Sequence, residues 1–80
     1  MKNLIENIDR IHTTPLGEKR IAKNLGVKGD ATEYCKKIIL KADTEIDRAG
    51  KNYYCKNGFE EITVNSYSYT IITAHINKRK

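Results

Sequence analysis

KNYYCKNGFEEITVN, residues 51–65, reads as two strands joined at Asn57-Gly58. Tyr53, Tyr54 and Cys55 favour the pleated backbone, and Asn-Gly is the strongest two-residue hairpin signal. The first strand is expected over Lys51–Lys56 and the second over Phe59–Asn65. Alternation in the second puts Ile62 and Val64 on one face and Glu61, Thr63 and Asn65 on the other. Downstream, Ser66-Tyr67-Ser68 makes a polar turn, and Tyr69–Ile76 repeats the two-residue period as a third strand. Its two sets are Thr70, Ile72, Ala74 and Ile76, expected in the core, and Tyr69, Ile71, Thr73 and His75, expected on the open face. Asn77-Lys78-Arg79-Lys80 is a basic end expected to fray.

Upstream of Gly50 the period is helical. Leu4, Ile5, Ile8 and Ile11 form one stripe of a helix over residues 3–12, with Asn3 as its cap. Thr14-Pro15 opens a second helix running to Leu25, since Thr caps well and Pro fits the first turn. Leu16, Ile21, Ala22 and Leu25 are its apolar side, and Lys19, Arg20 and Lys23 its basic side. Asp30 and Glu33 have capping-box spacing ahead of a third helix over 31–42, with Tyr34, Cys35, Ile38 and Ile39 on its stripe. Residues 43–50 read as a connector whose one large anchor is Ile46. Three helices followed by three strands predict an α+β domain over residues 1–80. The helices should pack on one face of a three-stranded antiparallel meander, leaving the other face open.

Eighty residues suffice for one domain with a narrow stability margin. Apolar types at 39% exclude a disordered tail, and the longest uncharged run is broken by Asn, Ser and Thr, which excludes a membrane-spanning helix. Residues after Met1 form an amphipathic segment and not an apolar leader, so a cytoplasmic protein with reduced Cys35 and Cys55 is expected. His12, Cys35, Cys55 and His75 lack the tight spacing of a structural zinc site, so no metal or cofactor is expected. A net charge of +5 favours an anionic partner, within the range ordinary for a soluble domain.

Two groups of residues stand out. The open sheet face gathers Thr63, Asn65, Tyr69, Thr73 and His75, with one of Tyr53 and Tyr54 and with Tyr67 in the turn beside it. Tyrosine rings stack on unpaired bases, polar side chains bond base edges, and an imidazole such as that of His75 can transfer protons. The second group is His12–Lys23, where His12 ends one helix and Lys19, Arg20 and Lys23 follow the start of the next, a place that suits a phosphate. Exposed strands are normally rich in Thr and Tyr, and a capping Thr beside solvated cations explains the second group without a ligand.

Three segments resemble a small bacterial family known as domain of unknown function 3781: IHTTPLGEKRIAKNLG (11–26), GKNYYC (50–55) and ITVNSYSYTIITAH (62–75). That resemblance implies no activity. Helices followed by a meander ending in TIITAH are also similar to the compact ribonucleases related to barnase, colicin and RelE toxins. This likeness implies RNA cleavage without metal. His75, His12 and Thr73 would be catalytic, with Lys19 and Arg20 near the second helix.

The expected function is thus a small basic domain that binds or acts on RNA or another nucleic acid, in its catalytic form a metal-independent ribonuclease. The alternative is a non-enzymatic interaction or inhibitor protein that binds a nuclease or another protein, with Tyr53, Tyr54, Tyr67 and Tyr69 as anchors. A homodimer through the exposed sheet is compatible with both, and a membrane partner with neither.

Overall fold

The computed structural model describes residues 4–76. A 3-10 segment, Ile5–Arg10, is followed by helices α1 (Pro15–Leu25) and α2 (Ala31–Leu40). Four strands complete the chain: β1 (Glu45–Ala49), β2 (Asn52–Asn57), β3 (Glu60–Asn65) and β4 (Ile71–Ile76). They form one antiparallel sheet in the order β1-β2-β3-β4. The α+β class is as the sequence predicts. The expected cap at Asn3 and the basic end at 77–80 lie outside the described residues.

Both full helices begin where their caps predict. Thr14 Oγ1 accepts from the Gly17 N–H at 3.0 Å, and Asp30 Oδ1 accepts from the Glu33 N–H at 3.1 Å. Gly26 closes α1, its N–H bonded to the Ala22 carbonyl. The first segment departs from expectation. It winds as 3-10 and is interrupted at Asn7, where φ is −111°. A short run with β-branched Ile5 and Ile8 has little helix propensity of its own, so tertiary contacts set its winding. Leu4 and Ile11 are buried, Ile8 is half-buried and Ile5 faces out. Helix α2 stops at Leu40, before the expected Ala42, because Lys41 turns extended and Thr44 Oγ1 donates to the Ile38 carbonyl.

The three-stranded meander is corrected to four strands. Residues 45–49, expected as connector, pair with β2 from Glu45 opposite Lys56 to Ala49 opposite Asn52. An edge strand needs few buried side chains, and only Ile46 of the five is even half-buried, so no alternation marks it in the sequence. Gly50 and Gly58 each open a two-residue hairpin loop with φ near +60° (+62° and +61°), a region other residues rarely adopt. The β2–β3 loop is therefore Gly58-Phe59, one residue later than expected. Asn57 ends β2 instead, and its amide donates to Asp43 Oδ1 and Thr44 Oγ1, both at 2.9 Å.

A second correction concerns the phase of the last strand. Thr63 faces Thr73 and Val64 faces Ile71, so Ile72 is an extra residue on β4. This bulge reverses the face assignment upstream of it. Ile71 and Tyr69, expected on the open face, are buried, while Ile72, expected in the core, is 53% exposed. Ala74 stays in the core and Thr73 and His75 stay on the open face. Tyr53, Cys55, Ile62, Val64, Ile71 and Ala74 then meet Ile21, Leu25, Cys35, Ile38 and Ile39 of the helices in one core. All helical segments thus cover one face of the sheet.

Candidate functional site

The open sheet face is built from two cross-strand rows. Asp47, Tyr54, Thr63 and Thr73 form one, and Glu45, Lys56, Glu61 and His75 the other. Thr63 lies between Tyr54 and Thr73 and is only 6% exposed. His75 Nε2 lies 3.7 Å from Glu61 Oε1, an ion pair when the imidazole is protonated. Of the two adjacent tyrosines, Tyr54 faces outward and Tyr53 is core. Tyr69 is core as well, with the Arg10 guanidinium 4.9 Å from its ring centre. Tyr67 is exposed in the turn. Asn65 is occupied locally: its Oδ1 accepts from the N–H groups of Tyr67 and Ser68, both at 2.9 Å, and so holds the β3–β4 turn.

His12 sits elsewhere. Its backbone makes a parallel bridge with Thr70, accepting from Ile71 N–H at 2.8 Å and donating to the Tyr69 carbonyl at 3.1 Å. The His12 Nδ1–H donates to the Arg10 carbonyl at 2.8 Å, because a carbonyl can only accept. Its Nε2 lies 3.1 Å from the Thr70 hydroxyl oxygen. Thr70 Oγ1 lies 2.8 Å from Ser68 Oγ, which reaches Asn65 Oδ1 at 3.2 Å. Tyr69, inside this network, holds φ at +60°, the one non-glycine residue with positive φ among those described. Nothing in the spacing of His12 and Thr70, 58 positions apart, announces their contact. Only the Asn65–Ser68 turn is readable in the sequence.

The two histidines are not brought together. His12 lies beside Thr70, ahead of the Ile72 bulge, whereas His75 lies beyond that bulge opposite Glu61. Thr73 accompanies His75, not His12. A general acid and base acting on one phosphate must both reach it, and here each histidine is held by its own partners, His12 by Arg10 and Thr70 and His75 by Glu61.

Charge divides between the two full helices and the open sheet face. From Pro15 to Lys41 there are seven cations and three carboxylates. Lys19, Arg20 and Lys23 are exposed along α1. Lys28, Lys37 and Lys41 are exposed in the loop after α1 and on and just beyond α2, and Lys36 is half-buried. All three carboxylates are engaged: Asp30 caps α2, Glu33 pairs with Lys36 at 3.3 Å, and Glu18 accepts from Thr32 at 3.3 Å. The open sheet face is the reverse, with Glu45, Asp47 and Glu61 against Lys56 and a histidine.

Cys35 and Cys55 are free, fully buried thiols on facing elements of the core. Burial pushes both up to about 12; Cys35 is raised further by Glu60, by Cys55 and by Glu18. The Tyr34 hydroxyl donates to Glu60 Oε2, and that bond, with burial and the carboxylate charge, raises the phenol to about 12. Among the described residues no three His, Cys, Asp or Glu side chains are placed to hold a metal ion. No described helix is long and apolar enough to cross a membrane.

A profile of the family described as a protein of unknown function, DUF3781, matches residues 5–75. The chain belongs to the DUF3781 family. No curated protein and no solved structure matches it. The match takes in both corrected elements of this DUF3781 chain, the edge strand β1 and the bulged β4. It also takes in the basic helical layer and both histidines.

Proposed function

We propose that this DUF3781 chain binds nucleic acid, RNA in the first instance, through the outer surface of its two-helix layer. The observation that carries the reading is the division of charge. Seven cations lie between Pro15 and Lys41, on α1, α2 and their flanks, and the three carboxylates of that stretch are already engaged by a backbone N–H, a lysine and a threonine. Phosphate contact by such a surface releases counterions and so supplies affinity without base-specific contacts. The acidic open sheet face is less suited to a phosphate backbone, and two of the four candidate stacking tyrosines are core. The holding of His12 by Arg10 and Thr70, and of His75 by Glu61, favours binding without cleavage.

The test is fluorescence anisotropy with a labelled single-stranded RNA between 50 and 200 mM salt, roughly the range over which phosphate contacts are lost. The variant is the triple exchange Lys19→Gln, Arg20→Gln, Lys23→Gln. Each phosphate contact contributes about 0.7 to the slope of log K against log salt for a single strand, so the variant should be shallower by about 2. A flat salt dependence of the parent, or an unchanged slope in the variant, rejects the surface. RNA cleaved in EDTA by the parent and not by His75→Ala would restore the ribonuclease form.

A further inference from the structure

We infer that the outer edge of β1 and the apolar groove beside it receive an extended segment of another protein, one in which basic and apolar residues alternate. The two edges of the sheet are treated differently. The β4 edge is covered by the His12 bridge, and Asn24 Nδ2 donates to the Ala74 carbonyl at 3.2 Å from α1. Strand β1 pairs with β2 on one side and, among the described residues, with nothing on the other. Its outer N–H and C=O groups are a template for one more strand.

The side chains say which strand. Ile46 and Arg48 point to the core side, opposite Cys55 and Tyr53, and Glu45 and Asp47 to the open side. Along the core side of this edge runs a groove of about 240 Å³ lined by Leu4, Ile5, Ile46, Arg48 and Tyr53. It falls below the roughly 300 Å³ at which small-molecule pockets begin, but it has room for an aliphatic side chain entering from an adjacent strand. The Arg48 guanidinium lies 6.0 Å from the Tyr53 ring centre, so its charge is held at the wall of the groove.

Alternate residues of an added strand would enter this groove, and the others would lie beside Glu45 and Asp47. Glu45 already faces Lys56 across the sheet, whereas Asp47 faces Tyr54 and its carboxylate has no ion pair or hydrogen bond among the described residues. A lysine or arginine opposite Asp47 completes the row. A second copy fits less well. Symmetric antiparallel pairing centred on β1 sets Asp47 against Asp47 of the other molecule, two like charges directly opposed.

The probes are two blocked hexapeptides, Lys-Val repeated three times and Glu-Val repeated three times, titrated into isotope-labelled protein and followed by amide shifts. The Lys-Val peptide should shift Glu45–Ala49 and Leu4-Ile5 and bind about fivefold more tightly than Glu-Val. Asp47→Lys, at an exposed position, should reverse that preference. Ile5→Glu should weaken both peptides. Absence of β1 shifts up to the solubility limit of the peptide would overturn the inference, as would equal affinity for the two peptides. A concentration-dependent dimer of the parent whose formation shifts the Glu45–Ala49 amides would also overturn it, assigning the edge to a second copy.

Discussion

The buried thiols give a quantitative check on the core. Cys35 and Cys55 are each pushed from 9.0 up to about 12, and only the thiolate reacts with disulfide reagents. At pH 8 a thiol of pKa about 12 is ionised in about one molecule in 10⁴, against about one in 11 for an ordinary one, a ratio of about 10³. A second route is global unfolding. With a stability of about 3–5 kcal/mol for a domain of this size, the open fraction is between about 10⁻² and 10⁻⁴. Both routes therefore protect the thiols by at least about 100-fold relative to the denatured chain. The assay is labelling by an aromatic disulfide at pH 8, followed optically with and without urea. The rate should rise with urea as the unfolded fraction rises. Labelling within about tenfold of the denatured rate and insensitive to urea would refute the placement of these cysteines. Alkaline titration supplies the complementary sign. The native thiols keep their protons between pH 9.0 and about 12 while the unfolded ones lose theirs. Stability is full below pH 9 and falls as pH rises, by about 1.4 kcal/mol per pH unit for each thiol.

Two further outcomes follow from the packing and from the placement of the histidines. Ile62→Ala empties a fully buried position on β3 and should cost about 2–5 kcal/mol, enough to abolish a cooperative urea transition in a domain this small; a transition shifted only slightly would show that the surrounding core collapses to fill the gap. His75→Ala, on the open sheet face and away from the helical layer, should leave both the circular dichroism spectrum and RNA affinity unchanged, and a loss of affinity on gel shift would place the contact surface on the sheet.

Much of the architecture was legible because it rests on local chemistry. Thr14-Pro15 and Asp30 fix helix starts through single side chain to backbone bonds, and those bonds are present. Period-two alternation found β3, a central strand whose Ile62 and Val64 must be buried. Strand β1 was not legible, because EIDRA buries almost nothing and takes its conformation from the ladder it makes with β2. The phase of β4 is hidden for a related reason. One bulged residue, Ile72, exchanges the faces of everything before it, and an isoleucine carries no mark of whether it is paired or extra.

The candidate site divides along the same line. The basic side of α1 was visible as Lys19, Arg20 and Lys23 at helical spacing, and Thr73 and His75 fell on the predicted face. The adjacent tyrosines could be told apart only once β2 was in register, which sends Tyr53 inward and Tyr54 outward. The sequence by itself determined the fold class, the two capped helices and the sign of the helical surface, since each follows from residues within a turn or two of one another. The tertiary structure alone decided that His12 meets Thr70, that β4 is shielded and β1 is left with an open edge, and that Glu45, Asp47 and Glu61 gather on the open sheet face. Those outcomes depend on which distant segments pair and in what register, and register is set by the burial of the whole core at once.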